Sequence, residues 1–178
     1  MTEPDRRRRW LAFVAIAAVV IVADQLSKLW VDANFAVAST RPAPGGPEPT
    51  PVVGEFVRIA KTYNTGGIFG LLGDSAPVLA LASTVVIALI VVYQAREGIR
   101  GPWPLTVALG LLLGGAVGNF IDRVRKGAVI DFVDMGIGDL RWYTFNVADA
   151  AISISLLLFV LLAVLPQLVP RLRGAEQP

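Results

Sequence analysis

The 178-residue chain has no cysteine and no histidine, and only 17% of its residues are charged. Without cysteine there is no disulfide, no thiol nucleophile and no thiolate metal site. Without histidine, Ser-His-Asp triads and imidazole ligation are excluded as well. Any chemistry must come from Asp, Glu, Lys, Arg, Ser, Thr, Tyr and side-chain amides. An excess of one charge sign is also missing: 16 basic residues face 14 acidic ones, for a net charge of +2. The basic residues are scattered except for the four arginines at 6–9. That run abuts a hydrophobic segment, so it reads as a cytoplasmic anchor before it reads as a nucleic-acid patch.

What the chain has in abundance is apolar sequence. It is 54% hydrophobic, and the apolar residues fall in four long blocks, the pattern of an all-α, multi-pass membrane protein. The expected spans are 10–31, 77–93, 103–121 and 151–169, in one membrane-embedded domain covering 1–178. Residues 10–23 behind the arginines resemble a signal-peptide core, and Ala36-Val37-Ala38 resembles a cleavage site. Apolar character resumes past Asp24, however, with Leu26, Leu29, Trp30 and Val31, so the segment is read as a retained span. Residues 38–51 are rich in proline and glycine and read as an extended, poorly packed insert. Rough alternation over 52–63 predicts one or two short strands. The third span carries Gly110, Gly114 and Gly118 at four-residue spacing, a smooth stripe against which another helix can pack. The fourth span is expected to end at Pro166 and Pro170.

The density of Lys and Arg in the tails and in the short 96–102 loop places both termini in the cytoplasm. With that topology, the unusual polar residues collect at the outer membrane face. Asp24 and Lys28 are spaced i,i+4, acid first, as a helical ion pair or a snorkelling pair would be. Asn119 and Arg123 share that spacing, and Arg123 is suited to holding a carboxylate or a substrate carbonyl. Asp122 reads as a structural partner for Arg123. Asp149 lies near a helix start, where capping is the plain explanation. Asp131, within Val129-Ile130-Asp131-Phe132, is neither a good cap nor a surface charge, and burial should raise its pKa. Asp134 and Asp139 look like ordinary solvated acids. If Asp131 and Asp149 adjoin, one carboxyl keeps its proton while the other activates water, which is peptide hydrolysis with neither metal nor cofactor.

Four motifs bear on identity: Asp24-Gln25-x-x-Lys28; Asn64-x-Gly66-x-x-Phe69-Gly70; Gly118-Asn119-x-x-Asp122-Arg123 with Gly127-x-Val129-x-Asp131-Phe132; and Phe145-Asn146-x-Ala148-Asp149. Together, in this order and between these spans, they resemble lipoprotein signal peptidase (signal peptidase II). The resemblance implies a bacterial inner-membrane aspartic endopeptidase with Asp131 and Asp149 as its catalytic pair. Its substrates would be diacylglyceryl-modified prolipoproteins, cut before the lipidated cysteine. Asn64, Gly66, Asn119, Arg123 and Asn146 would line the substrate site, and Asp24 and Lys28 would support the fold or activity. A small extracytoplasmic sheet would include residues 52–63, and 132–145 would form a mobile flap or loop helix over the site. The enzyme is expected to act as a monomer among membrane lipids, with no nucleic-acid partner. Departures are the 38–51 insert and Gly67, where alanine is more usual.

Two other readings compete. Intramembrane Asp, Lys, Asn and Arg also line transport pathways, although the middles of spans two and four carry only Ser83, Thr84, Ser153 and Ser155. A structural membrane protein would use the same groups only to tie helices together. A Ser–Lys protease using Ser75 or Ser153 with Lys61 or Lys126 has no supporting spacing.

Overall fold

A computed structural model describes residues 2–40, 45–65 and 76–174. The elements, in order, are α1 (Glu3–Asn34), β1 (Thr50–Val53), β2 (Val57–Asn64), α2 (Ala76–Tyr93), a π turn (Gln94–Gly98), α3 (Trp103–Lys126), β3 (Val129–Ile137), β4 (Leu140–Arg141) and α4 (Val147–Gly174). Four helices are long and apolar enough to cross a membrane: Glu3–Asn34, Pro77–Gly98, Trp103–Lys126 and Val147–Leu165.

Local chemistry explains most helix boundaries. α1 begins earlier than the apolar pattern suggests because Thr2 accepts from the Asp5 backbone N–H and Glu3 and Asp5 occupy the first turn. The helix thus runs straight through the arginines. α3 ends at Gly127, whose φ of 69° places it in the left-handed region, and Arg123, Arg125 and Lys126 fill its last turn. α4 starts at Val147, four residues before the expected boundary. It also continues past Pro166 and Pro170 to Gly174, so those prolines do not end it. In apolar surroundings the freed backbone groups find no water to bind, and helix remains the least costly state.

α3 is the central helix, packed by α1, α2 and α4. Its glycine stripe works as expected: a Cβ on Gly114 would come within 2.9 Å of the Ala17 carbonyl, and one on Gly118 within 2.6 Å of Asp24 Oδ2. Phe13, Ile90 and Leu109 form one core between the helices. A second, from Val31, Ile130 and Phe132, seats the sheet against the end of α1.

The four strands form one antiparallel sheet in the order β1-β2-β3-β4. Residues 132–145, expected as a flap or loop helix, are mostly strand: β3 continues into a hairpin with β4, and Phe145 returns to bridge Val133. The insert is better anchored than its composition suggests, since Ala38 is buried and donates its N–H to the Lys61 carbonyl.

The last turn of α1 contains no basic residue of its own. Lys61 Nζ supplies one from β2, donating to the Asp32 and Phe35 carbonyls at 3.0 Å each. The Asp32 carboxylate in turn pairs with Lys61 at 2.8 Å and Lys126 at 2.7 Å. Helix end, sheet and α3 terminus are thereby joined through one acid, which holds the Lys61 ammonium above its usual pKa.

Candidate active site

The polar residues singled out in the sequence do meet at one end of the bundle, in two connected groups. The first is buried and charged. Lys28 Nζ lies 2.8 Å from Asp24 Oδ2, 2.8 Å from Asp122 Oδ2 and 3.0 Å from Asn119 Oδ1. All three ammonium donors are therefore used. Lys28 is 2% exposed and Asp24 is fully buried, so the pair does not snorkel. Asp122 pairs with Lys28, a full helix away in α1, and not with its neighbour Arg123. Gln25 completes the group, its amide donating to Asp24, Asp122 and the Gly118 carbonyl. Asp24 Oδ1 accepts the Ala148 N–H at 3.0 Å, fixing α4 against α1.

The second group contains Asp131 and Asp149, and amides alone hold it. Asn146 Nδ2 donates to Asp131 Oδ1 at 2.7 Å. The same residue's Oδ1 accepts the Asp149 N–H at 2.9 Å, and its own N–H donates to Asp149 Oδ2 at 3.2 Å. This is a reciprocal helix cap, so the plain reading of Asp149 is correct as far as it goes. Its other oxygen accepts from Asn119 Nδ2 at 2.7 Å. Asn64 Nδ2, at the end of β2, donates to Asp131 Oδ2 at 3.0 Å. One asparagine, by its side chain on Asp131 and its backbone N–H on Asp149, thus links a strand carboxylate to a helix-start carboxylate.

Lys28 decides how Asn119 is oriented. Its ammonium and the Asn146 amide at 3.2 Å both donate to Asn119 Oδ1, so the Asn119 NH₂ is turned toward Asp149. A buried salt bridge in one layer sets the amide geometry in the next.

Asp131 is 2% exposed. Burial, reinforced by the charge of Asp149, raises its pKa to about 7, although the Asn64 and Asn146 amides oppose the shift. Tyr143, on the hairpin, lies within the field of both acids; burial and their charges raise its pKa. Arg123 is half-buried in the field of Asp149, Asp131 and Asp122, and its side chain makes no hydrogen bond or ion pair among the described residues. A cleft of about 830 Å³ opens beside Asn64, lined by residues that include Thr62, Tyr63, Arg141, Trp142 and Tyr143. Gly66 lies outside the described residues.

Asp134 is not a solvated acid. It is fully buried, 2.6 Å from Arg58 and 2.8 Å from Arg141, and it fastens the hairpin to β2. Gln25 belongs to the site although no role was expected of it; its position inside the Asp24–Lys28 motif was the available signal. Lys61 and Lys126, which a Ser–Lys arrangement would need, are both engaged by Asp32. In the spans, Ser83, Thr84 and Ser153 bond back to carbonyls of their own helices, and Ser155 bonds to Ala108 of α3. Three of these hydroxyls are satisfied within their own helix and the fourth ties α4 to α3, so each has a structural partner.

Bundle and site define a multi-pass membrane protein with a polar focus at one end of its helices. The family model described as signal peptidase (SPase) II matches residues 16–165. A lipoprotein signal peptidase of Oleidesulfovibrio alaskensis is 38% identical over 162 residues, covering 89% of this chain and 97% of that protein. That of Moorella thermoacetica is 36% identical over 156 residues, covering 88% and 95%, and that of Xanthomonas campestris 36% over 145 residues, covering 80% and 81%. A solved bacterial membrane enzyme superposes with a TM-score of 0.72 at 26% identity, over 86% of this chain and 87% of its own. The chain belongs to the signal peptidase II family and is a peptidase.

Proposed function

We propose that the chain is an aspartic-type endopeptidase that removes the signal peptide from diacylglyceryl-modified prolipoproteins, cutting before the lipidated cysteine. The observation that carries this reading is the joint hold of Asn146 on Asp131 and Asp149. A buried and a half-buried carboxyl held together by amides cannot easily both ionise. Burial and the charge of Asp149 push the Asp131 pKa up to about 7, so one proton stays with the pair near neutral pH.

In this mechanism the Asp149 carboxylate takes a proton from water as the water oxygen bonds to the scissile carbonyl carbon. Asp131 donates its proton to the carbonyl oxygen. Collapse of the tetrahedral intermediate breaks the C–N bond: the proton held by Asp149 passes to the departing cysteine nitrogen, and a hydroxyl proton returns to Asp131 as the carbonyl re-forms. Asn119 and Asn146 orient the acids, while Arg123 and Asn64 face the substrate peptide. The enzyme works as a monomer in the bacterial inner membrane, with both termini cytoplasmic and the site at the outer face. There the scissile bond of a membrane-anchored substrate lies at the depth of the dyad.

The test is cleavage of a diacylglyceryl-modified prolipoprotein by purified wild type, Asp131→Asn, Asp149→Asn and, as control, the exposed Glu48→Gln. Wild type and control should cut before the modified cysteine. Both dyad variants should lose about 10²- to 10⁴-fold in rate while remaining folded. Retained cleavage by either dyad variant would remove that aspartate from the mechanism.

A further inference from the structure

The opposite end of the bundle carries a second polar construction that proteolysis does not use. Arg9 lies near the start of α1, about 28 Å along that helix from Lys28 at ~1.5 Å per residue. It is held from three directions. Its Nη1 donates to Thr106 Oγ1 at 3.2 Å and to the Gly98 carbonyl at 3.5 Å, and its guanidinium stacks 4.7 Å from the Trp103 ring centroid. Thr106 is fully buried and itself donates to that carbonyl, which the π turn presents. A π turn inserted between spans commonly marks a functional feature. The Gln94 amide, which opens the turn, is completely buried with no hydrogen-bond partner among the described residues.

Next to Arg9 is an open cavity of about 760 Å³ lined by Thr2, Glu3, Arg6, Arg9, Ile99 and Arg100. Three guanidinium groups line it with one acid, Glu3, which is exposed and pairs with Arg6 at 2.7 Å. The cavity is therefore a net cationic surface, rich in guanidinium donors of the kind that chelate a phosphate. Trp103, stacked on Arg9, stands beside it, and such aromatic residues favour the headgroup level of a bilayer. The adjoining turns of α1 and α2 leave Leu11, Val14, Leu89 and Val92 exposed, a surface on which acyl chains can lie.

We propose that this cavity binds the phosphodiester headgroup of an anionic phospholipid, with Arg9 as the fixed donor and Arg6 and Arg100 closing on the phosphate. Basic pockets between spans recognise anionic lipid in this manner. The site is independent of the protease reading, since none of its residues approaches Asp131 or Asp149.

The experiment is native mass spectrometry of the full chain in mild detergent, titrated with phosphatidylglycerol, with phosphatidylethanolamine of matched chains, and with inorganic phosphate. Wild type should retain phosphatidylglycerol at least tenfold better than phosphatidylethanolamine. Removing Arg6 and Arg100 together (R6Q/R100Q) should weaken retention roughly 25-fold, about fivefold for each charge. The charge-conserving R6K/R100K should keep most of it, which separates binding from folding. Equal retention of the two lipids by wild type would overturn the proposal, as would full retention by a folded R6Q/R100Q. Displacement of the lipid by millimolar phosphate would assign the cavity to a soluble anion and overturn the lipid reading.

Discussion

Two pairs of acids lie side by side in this protein and behave in opposite ways. Asp24 and Asp122 share Lys28, so each carboxylate has a cation at 2.8 Å. Among the described residues, the Asp131 and Asp149 carboxylates accept hydrogen bonds from asparagine N–H groups alone. Neutral donors satisfy lone pairs without cancelling charge, and the second pair is left with an unbalanced electrostatic load. The first arrangement fixes structure. The second keeps a proton exchangeable near neutral pH. The difference depends on where a single lysine lies.

The comparison can be broken most severely at that lysine. Lys28→Met leaves two buried carboxylates without a cation and should destabilise the fold by about 3–5 kcal/mol, read as a large fall in Tm in detergent. An unchanged Tm would mean that the acids simply take up protons. Asn119→Ala tests the link between the two groups. It removes a donor from Asp149 and an acceptor from Lys28, and should cost about 1–3 kcal/mol of stability together with a clear loss of kcat. If kcat fell with no change in Tm, the amide would serve the dyad alone.

A smaller effect sharpens the contrast. The folded-state pKa of Asp131 is raised, so the native state holds a proton that the unfolded chain has released. Its contribution to stability is complete below about pH 4 and disappears as pH rises to about 7. The slope is at most about 1.4 kcal/mol per pH unit. Asp131→Asn should abolish that slope, while Asp134→Asn should leave it intact. Denaturation midpoints across pH 4–8 provide the check.

The spans and the focus of polar residues were legible because both follow from local pattern: apolar length for the helices, and i,i+4 spacing for Asp24 with Lys28. Membrane geometry did the rest, by confining the polar motifs to one end. What could not be read was pairing across the chain. Asp134 looked solvated because its neighbours in sequence are unremarkable, yet one of its arginines comes from a strand 76 residues earlier. Asp122 looked like the partner of Arg123 because they are adjacent. On a helix, however, consecutive residues point about 100° apart, and Asp122 faces α1. The 132–145 segment looked like a loop because its glycines mask the strand alternation.

Asp131 stands on a strand and Asp149 on a transmembrane helix, so the site exists only while the small sheet is docked. The sheet rests on one apolar cluster and on the Asp32 clasp, whereas the helices are confined by the bilayer. Heating should release the sheet first, as a cooperative unit of its own. Peptidase activity should then vanish at a temperature where the helical signal is still intact, making catalysis the more sensitive thermometer of the two.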